Sequence, residues 1–299
     1  MLYNVDISIN FCYNNKLELQ LLKVNILEID TRDLYKQKAH LIKTFQNEGR
    51  HLQITNTTGK LVVVGDLHGD GRTLHYLLNK YFFESSEFIL LFLGDYVDRE
   101  PSSWNNHPSA VIDQLLLLKH QYPDKIFLLA GNHDLTPKRY VPFHSEFWNK
   151  LNSDYYHFYS DVLSSIPVVA TTSRGIACCH GTLPLRSDFT TFDLNDSEWI
   201  DSIWADYYEN NEGVSRVYRP VRLKHHFDQS MKAFKSSLLI KGHNPSAPLL
   251  MYTNRCITMQ TNRYYNDYCG MHIAIVDLTK PKIETADDIE IVEFGGVAS

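Results

Sequence analysis

The sequence predicts an α/β protein: two stacked β-sheets with helices on the outside. Three observations predict it. Apolar runs at Leu61–Val64, Phe88–Leu93 and Ile126–Ala130 are each followed at once by a glycine-led polar cluster, and helical stretches follow the first two clusters. Short apolar runs bounded by turn residues read as buried strands, and strands alternating with helices read as βαβ units of a parallel sheet. The second half of the chain is different. PVVATT, IACCHG, SLLIKGH, LLMY, RCITMQT, MHIAIVDL and KIETADDIEIVEF are closely spaced strand segments, with turns at Ser173–Gly175 and Thr253–Asn254. No repeat, low-complexity run or Pro/Ser-rich linker separates the two halves.

Taken in order, residues 16–29 (KLELQLLKVNILEI) alternate apolar and polar positions and predict a strand. Thr31 is a candidate N-cap for a helix carrying Leu34, Leu41, Ile42 and Phe45 on one face. HLQIT and KLVVV flank a turn at Asn56–Gly59, which predicts a hairpin. Helices are expected near Thr73–Tyr81 and over Pro108–His120, the LLLLK run at 115–119 being a buried face of the second. The YYHFYSD stretch at 155–161 reads as a packed helix. Cys178 and Cys179, adjacent on a strand, should point to opposite faces.

Composition bounds the function. Of 299 residues, 43% are hydrophobic, enough for a full core. The net charge of −6 argues against broad nucleic-acid or anionic-membrane binding, which calls for a basic face. No apolar stretch is long enough for a transmembrane helix, and no basic segment leads an apolar core at the start of the sequence. The five cysteines, Cys12, Cys178, Cys179, Cys256 and Cys269, show no metal-type spacing and read as free thiols of a reducing cytoplasm.

The chemistry sits in the polar clusters. Ligands of open α/β sheets bind at the carboxyl ends of strands. Asp66 and His68 (GDLHGD), Asp95 and Asp98 (GDYVDRE), and Asn132 and His133 (GNHD) should therefore converge. His180 and His243, each ending a later strand, are candidates to join them. Asp, His and Asn donors without thiolates suit Mn²⁺ first, with Fe²⁺ and Zn²⁺ also fitting. Asp66, His68, Asp95, Asn132, His180 and His243 are too many for one ion and about right for two. If Asp95 bridges, one ion takes Asp66 and His68 and the other takes Asn132, His180 and His243. Two such ions lower the pKa of a shared water, so that hydroxide is available to attack phosphorus. Arg99 would clamp the phosphoryl oxygens. His133, next to Asp98, would protonate the leaving oxygen with Asp98 orienting it. The glycines before Asp66, Asp95 and Asn132 let the chain leave each strand sharply.

In these motifs the chain resembles the phosphoprotein phosphatases of the calcineurin-like metallophosphoesterase superfamily, whose signature is GD-x-HG, GD-x-VDRG and GNHE. CCHGTLP, SIWADYYE, LLIKGHNP and CITMQTNRYYN extend the resemblance over Leu61 to Asp277. A catalytic domain is expected at 51–299, with residues 1–50, which carry no resemblance, as an extension packed on it; the resemblance implies a central β-sandwich of two mixed sheets flanked by α-helices. It also implies His180 and His243 as metal ligands and Tyr265, or Tyr264, as a tyrosine of the site. Four departures stand out. Glu100 replaces the family glycine after Arg99, Asp134 replaces the glutamate of GNHE, Thr182 replaces a glycine, and Glu212 falls where a second phosphate-binding arginine is expected. Arg216 is the favoured replacement and Arg219 the second. The resemblance implies a phosphoprotein or phosphopeptide substrate, at Ser/Thr or Tyr. A dinucleoside polyphosphate or nucleotide hydrolase with the same centre is the first alternative, and an inactive phosphoprotein-binding scaffold the second.

Overall fold

A computed structural model of the chain describes residues 31–101, 107–135, 145–188, 197–209 and 219–294. The predicted strand at 16–29 lies outside them. The helical region beginning at Thr31 is two helices, α1 (Thr31–Lys36) and α2 (Lys38–Glu48), separated by a turn at Gln37. Thr31 is thus itself helical rather than a cap. Leu34, Leu41 and Phe45 are fully buried, as the spacing requires.

The first sheet has five strands. Strands β2 (Lys60–Val64), β3 (Phe88–Phe92) and β4 (Ile126–Leu128) run parallel. On the other side of β2, β12 (His272–Asp277) pairs antiparallel, and β13 (Glu290–Glu293) pairs antiparallel with β12. The second sheet has six strands in the order β1, β5, β6, β9, β11, β10. These are β1 (His51–Ile54), β5 (Val169–Thr172), β6 (Ile176–Cys179), β9 (Leu238–Lys241), β10 (Leu250–Met251) and β11 (Cys256–Thr258). Both sheets are mixed, as expected. A separate two-stranded ribbon joins β7 (Asp206–Tyr208) to β8 (Val221–Leu223), segments too short to show a period in sequence.

The two-residue period of a strand explains the layering. Leu61, Val63, Ile89 and Leu91 point into the space between the sheets, where they meet Ile176, Cys178, Leu238, Ile240 and Ile257. Val62, Val64, Leu90 and Phe92 point the other way, into a core shared with Leu41, Phe45, Leu74, Ile112 and Leu115 of the helices. Burial on both faces is why these strands read as unbroken apolar runs. Cys178 and Cys179 fall in different layers, and the described cysteines are free thiols.

The expected hairpin at Asn56–Gly59 does not form. Strand β1 pairs in parallel with β5, while β2 sits in the opposite sheet. The turn carries the chain across the sandwich instead, because Leu52 and Ile54 bury their side chains against Leu61 and Val63 face to face rather than edge to edge. The hairpin turns at Ser173–Gly175 and Thr253–Asn254 do form, joining β5 to β6 and β10 to β11.

Helix α3 (Gly71–Leu77) starts two residues earlier than predicted, capped by Asp70, and passes into a π-helical turn at Leu78–Phe83. Helix α4 (Ala110–Gln121) buries Leu115, Leu116 and Leu118 and also, unexpectedly, Lys119. The Lys119 ammonium is held by Glu48 of α2 and by Pro123 O, so a buried ion pair fastens α2 to the sheet-covering helix layer. No helix among the described residues is long and apolar enough to cross a membrane.

Candidate metal centre

Strands β2, β3 and β4 lead within a few residues to Asp66, Asp95 and Asn132, and strands β6 and β9 lead to His180 and His243. The sheets are joined at this end. Asp66 bridges to Gln260 beyond β11, Thr261 N–H donates to Asp66 O (3.1 Å), and Thr261 Oγ1 accepts from Gly65 N–H (2.8 Å). The crossing is tight. A Cβ on Gly131 would lie 2.3 Å from Asp95 N, and one on Gly94, at φ +107°, would lie 2.4 Å from Gly131 N. Only glycine lets the two loops touch.

Six predicted ligands come together, all nearly inaccessible to solvent. Donor atoms of Asp66, His68 and Asp95 lie within 4.8 Å of one another, and so do those of Asp95, His180 and His243. Asp95 belongs to both groups. Each histidine spends one ring nitrogen on a backbone carbonyl. His68 Nδ1 is 3.0 Å from Val97 O, His180 Nδ1 is 3.0 Å from Leu93 O, and His243 Nε2 is 3.1 Å from Trp204 O. Such outer bonds fix the tautomer and turn the other nitrogen's lone pair toward a metal. His243 Nδ1 is buried with no hydrogen-bond partner. His180 Nε2 faces Asn132 Oδ1 at 3.0 Å and Asp95 Oδ2 at 3.3 Å. With Nδ1 donating to Leu93, these are three acceptors in contact, and a cation or a proton must lie among them. The residues fit a pair of divalent ions.

The electrostatics agree. Burial raises the Asp95 carboxyl, but His180, His133 and His68 more than offset this and hold it well below the usual carboxylate range. Burial lowers His68 and His243, so both are neutral at neutral pH. Burial also lowers His180, but Asp95 and Asp66 override it and push its pKa up to about 9. Without a cation, the carboxylates therefore keep a proton on His180. Because this folded value lies above the ordinary 6.5, the stability it contributes is fully present below pH 6.5 and is lost as pH rises through about 9. A cation displaces that proton. The rise in melting temperature on adding Mn²⁺ to chelated protein is therefore expected to grow from pH 6.5 to 9, with apparent affinity gaining up to about tenfold per pH unit for one proton displaced. A thermal shift that is constant or shrinks over this window would contradict the arrangement.

His133 Nδ1 lies 2.8 Å from Asp98 Oδ2, while Asp98 Oδ1 accepts from Ser145 Oγ (3.0 Å) and Phe147 N–H (2.8 Å). Burial would raise the Asp98 carboxyl, but His133 and these donors keep it below its ordinary value. His133 N–H donates to Asp95 Oδ1 (2.9 Å) and its carbonyl accepts from Trp148 Nε1 (3.0 Å), which locks the residue between the metal cluster and α5 (Glu146–Lys150). Of nine non-glycine residues with positive φ among those described, five are His68, Asp95, Asp98, Arg99 and His243. Backbone strain gathers at the site.

The remaining predicted residues separate. Arg99 is exposed, and its charge offsets part of the rise that burial imposes on the Tyr265 phenol, which is pushed up to about 12. The Tyr265 ring, rather than that of Tyr264, stands against His68, with centroids 5.9 Å apart. Arg219 Nη1 lies 3.3 Å from Asp206 Oδ2, and its charge adds to burial in lowering the pKa of His243. Arg216 and Glu212 lie outside the described residues. Glu100 packs on Gly69 with both carboxylate oxygens buried and without partners. The Asp134 carboxylate, which the sequence showed only as a departure, accepts N–H bonds from Asp95 (2.8 Å), Tyr96 (2.9 Å) and Gly131 (2.9 Å) and ties the loops carrying Asp95 and Asn132 together.

Fold and site together define a metal-dependent phosphoesterase. The chain belongs to the calcineurin-like phosphoesterase family, whose model matches residues 59–268. Among solved structures it is similar to a protein serine/threonine phosphatase from Saccharomyces cerevisiae, itself described as similar to human phosphatase PP5. Identity is 20%, 94% of this chain and 97% of that chain are covered, and the TM-score is 0.73. At that identity the likeness concerns the fold. Weaker matches are a candidate diadenosine tetraphosphatase (16% identity, 84% and 100% covered, TM-score 0.47) and a cold-active protein-tyrosine phosphatase of a psychrophilic Shewanella (16%, 82% and 82%, TM-score 0.49).

Proposed function

We propose that the chain hydrolyses phosphomonoesters on phosphoproteins, at Ser/Thr or Tyr. The observation that carries this reading is Asp95, shared by two ligand clusters and hydrogen-bonded through Oδ1 to the backbone of His133. Asp66, His68 and Asp95 would hold one divalent ion, and Asp95, Asn132, His180 and His243 the other, with Mn²⁺, Fe²⁺ and Zn²⁺ all suited to these donors. When bound, the ions supply Lewis acidity and a water of lowered pKa. The protein's own groups do the rest. Arg99 and Arg219 would bind phosphoryl oxygens and neutralise charge as it develops. His133 gives its Nε2 proton to the leaving oxygen, and Asp98 on Nδ1 sets the ring's tautomer and direction.

Support for a protein substrate is the run of segments CCHGTLP, SIWADYYE and CITMQTNRYY, which resembles the protein phosphatases along their length, together with a fold likeness to a serine/threonine phosphatase that covers nearly all of both chains. The aspartate of GNHD does not favour a nucleotide. Its carboxylate is fully buried and spent on three backbone N–H groups, so it does not read a substrate. The test is turnover with added Mn²⁺ on phosphoserine, phosphothreonine and phosphotyrosine peptides beside a dinucleoside tetraphosphate. At least one phosphopeptide is expected to give the highest kcat/KM. A value about tenfold or more higher on the dinucleotide than on every peptide would overturn the assignment.

A further inference from the structure

We propose that Asp70 and Arg263 form a positioning clasp that fixes the segment beside the ligand cluster, acting through Tyr265. The proposal rests on the phosphomonoesterase reading above and adds the device that holds the substrate-facing tyrosine in place.

Asp70 ends the GDLHGD motif and is fully buried. Its carboxylate caps α3 by accepting from Thr73 N–H (3.2 Å) and Thr73 Oγ1 (2.7 Å). It then receives Arg263, which is 193 residues distant in sequence. The Arg263 backbone N–H reaches Oδ2 at 2.9 Å, Nε lies 3.0 Å from both oxygens, and Nη2 lies 2.8 Å from Oδ1. A forked guanidinium on a carboxylate fixes direction as well as distance. Neither group has an inexpensive alternative, because a buried charge that loses its partner is strongly destabilising.

The neighbouring residues extend the attachment. Asn262 Nδ2 donates to Asp66 O (3.0 Å), and Asn262 Oδ1 accepts from Tyr265 N–H (3.1 Å). Residues 261–265 are thus stitched onto 66–70, the loop that carries two metal-ligand candidates. The other end of the segment is held differently: the Tyr268 hydroxyl meets Ser246 Oγ at 3.2 Å, and Tyr268 is 69% exposed. The buried ion pair, and not this exposed bond, sets where Tyr265 stands. With Arg263 neutralised by Asp70, this segment presents tyrosine to a substrate: Tyr265 against His68, with the exposed ring of Tyr264 packed edge-on to it at 4.9 Å.

The experiment is a double-mutant cycle on the Mn²⁺-loaded full chain, with p-nitrophenyl phosphate and a phosphothreonine peptide as substrates. Arg263→Ala and Asp70→Asn are each expected to lower kcat/KM about tenfold, mainly through KM, with Mn²⁺ content unchanged. Arg263→Lys, which keeps the charge, should recover part of the loss. In a Tyr265→Ala background, Arg263→Ala should cost less than about twofold more, because its effect passes through the ring already removed. Should Arg263→Ala not fold, the neutral pair Asp70→Asn with Arg263→Gln carries the same expectations. Losses that multiply in the Tyr265→Ala background, or a drop in Mn²⁺ content, would overturn the clasp while leaving the phosphomonoesterase reading intact. Failure of the wild type to hydrolyse either substrate would overturn both.

Discussion

Asparagine in place of Asp95 is expected to lower kcat/KM by about 10³-fold or more and to leave at most one divalent ion per chain. Asp95 is the one residue common to both ligand groups, and its Oδ1 also accepts the His133 N–H. An amide carries no charge to offset two cations. With its oxygen kept on His133, its NH₂ would face His180 Nε2, which lies 3.3 Å from the present Oδ2. That contact is a satisfactory hydrogen bond, so the fold should survive. Thermal melts in chelator should show Asp95→Asn folded but less stable than the wild type below about pH 9, where His180 loses its charged partner, and the large losses should appear in metal content and turnover. Near-wild-type kcat/KM would remove Asp95 from the centre of the mechanism.

The next largest effect is expected at His133. Its ring is oriented by Asp98 and its backbone by Asp95 and Trp148, but it belongs to neither ligand group. His133→Asn should therefore cut kcat by about 10²–10⁴ on a phosphoserine or phosphothreonine peptide, whose alkoxide leaves poorly without a proton. On an aryl phosphate, whose leaving group needs little protonation, the loss should shrink, with Mn²⁺ content unchanged. Asp98→Asn should follow the same pattern more weakly, since it keeps an acceptor for Ser145 and Phe147 but loses the charge that pairs with the imidazole. Equal losses on both leaving groups, or lost metal, would make His133 structural or a ligand.

The convergence of the candidate ligands was legible in the sequence because each follows its strand within a few residues, and a strand buried on both faces announces itself as an apolar run. Asp66, Asp95 and Asn132 could be placed from β2, β3 and β4 alone. The Asn56–Gly59 turn could not, since a turn signal between two apolar segments does not say whether they pair in one sheet or face each other from two. Lys119 ended an apolar helix run, and its burial depended on Glu48 arriving from α2. Spacing did not fix the second arginine either, and Arg216, the favoured choice, lies outside the described residues. Spacing from the tryptophan segment and spacing to His243 gave different answers, and the contact with Asp206 is what favours Arg219. The Asp70–Arg263 pair spans nearly the whole domain, and no local pattern in GDLHGD or TNRYYN announces it. Asp134 was visible as a residue out of pattern, but its work is done on backbone N–H groups, which a sequence does not display.

The central claim is that Asp95 joins two ion sites. Elemental analysis of wild-type protein, stripped with chelator, resupplied with Mn²⁺ and freed of excess, tests it most directly. The account predicts two ions per chain, falling to one or none in Asp95→Asn. One ion or none in the active wild type would contradict it.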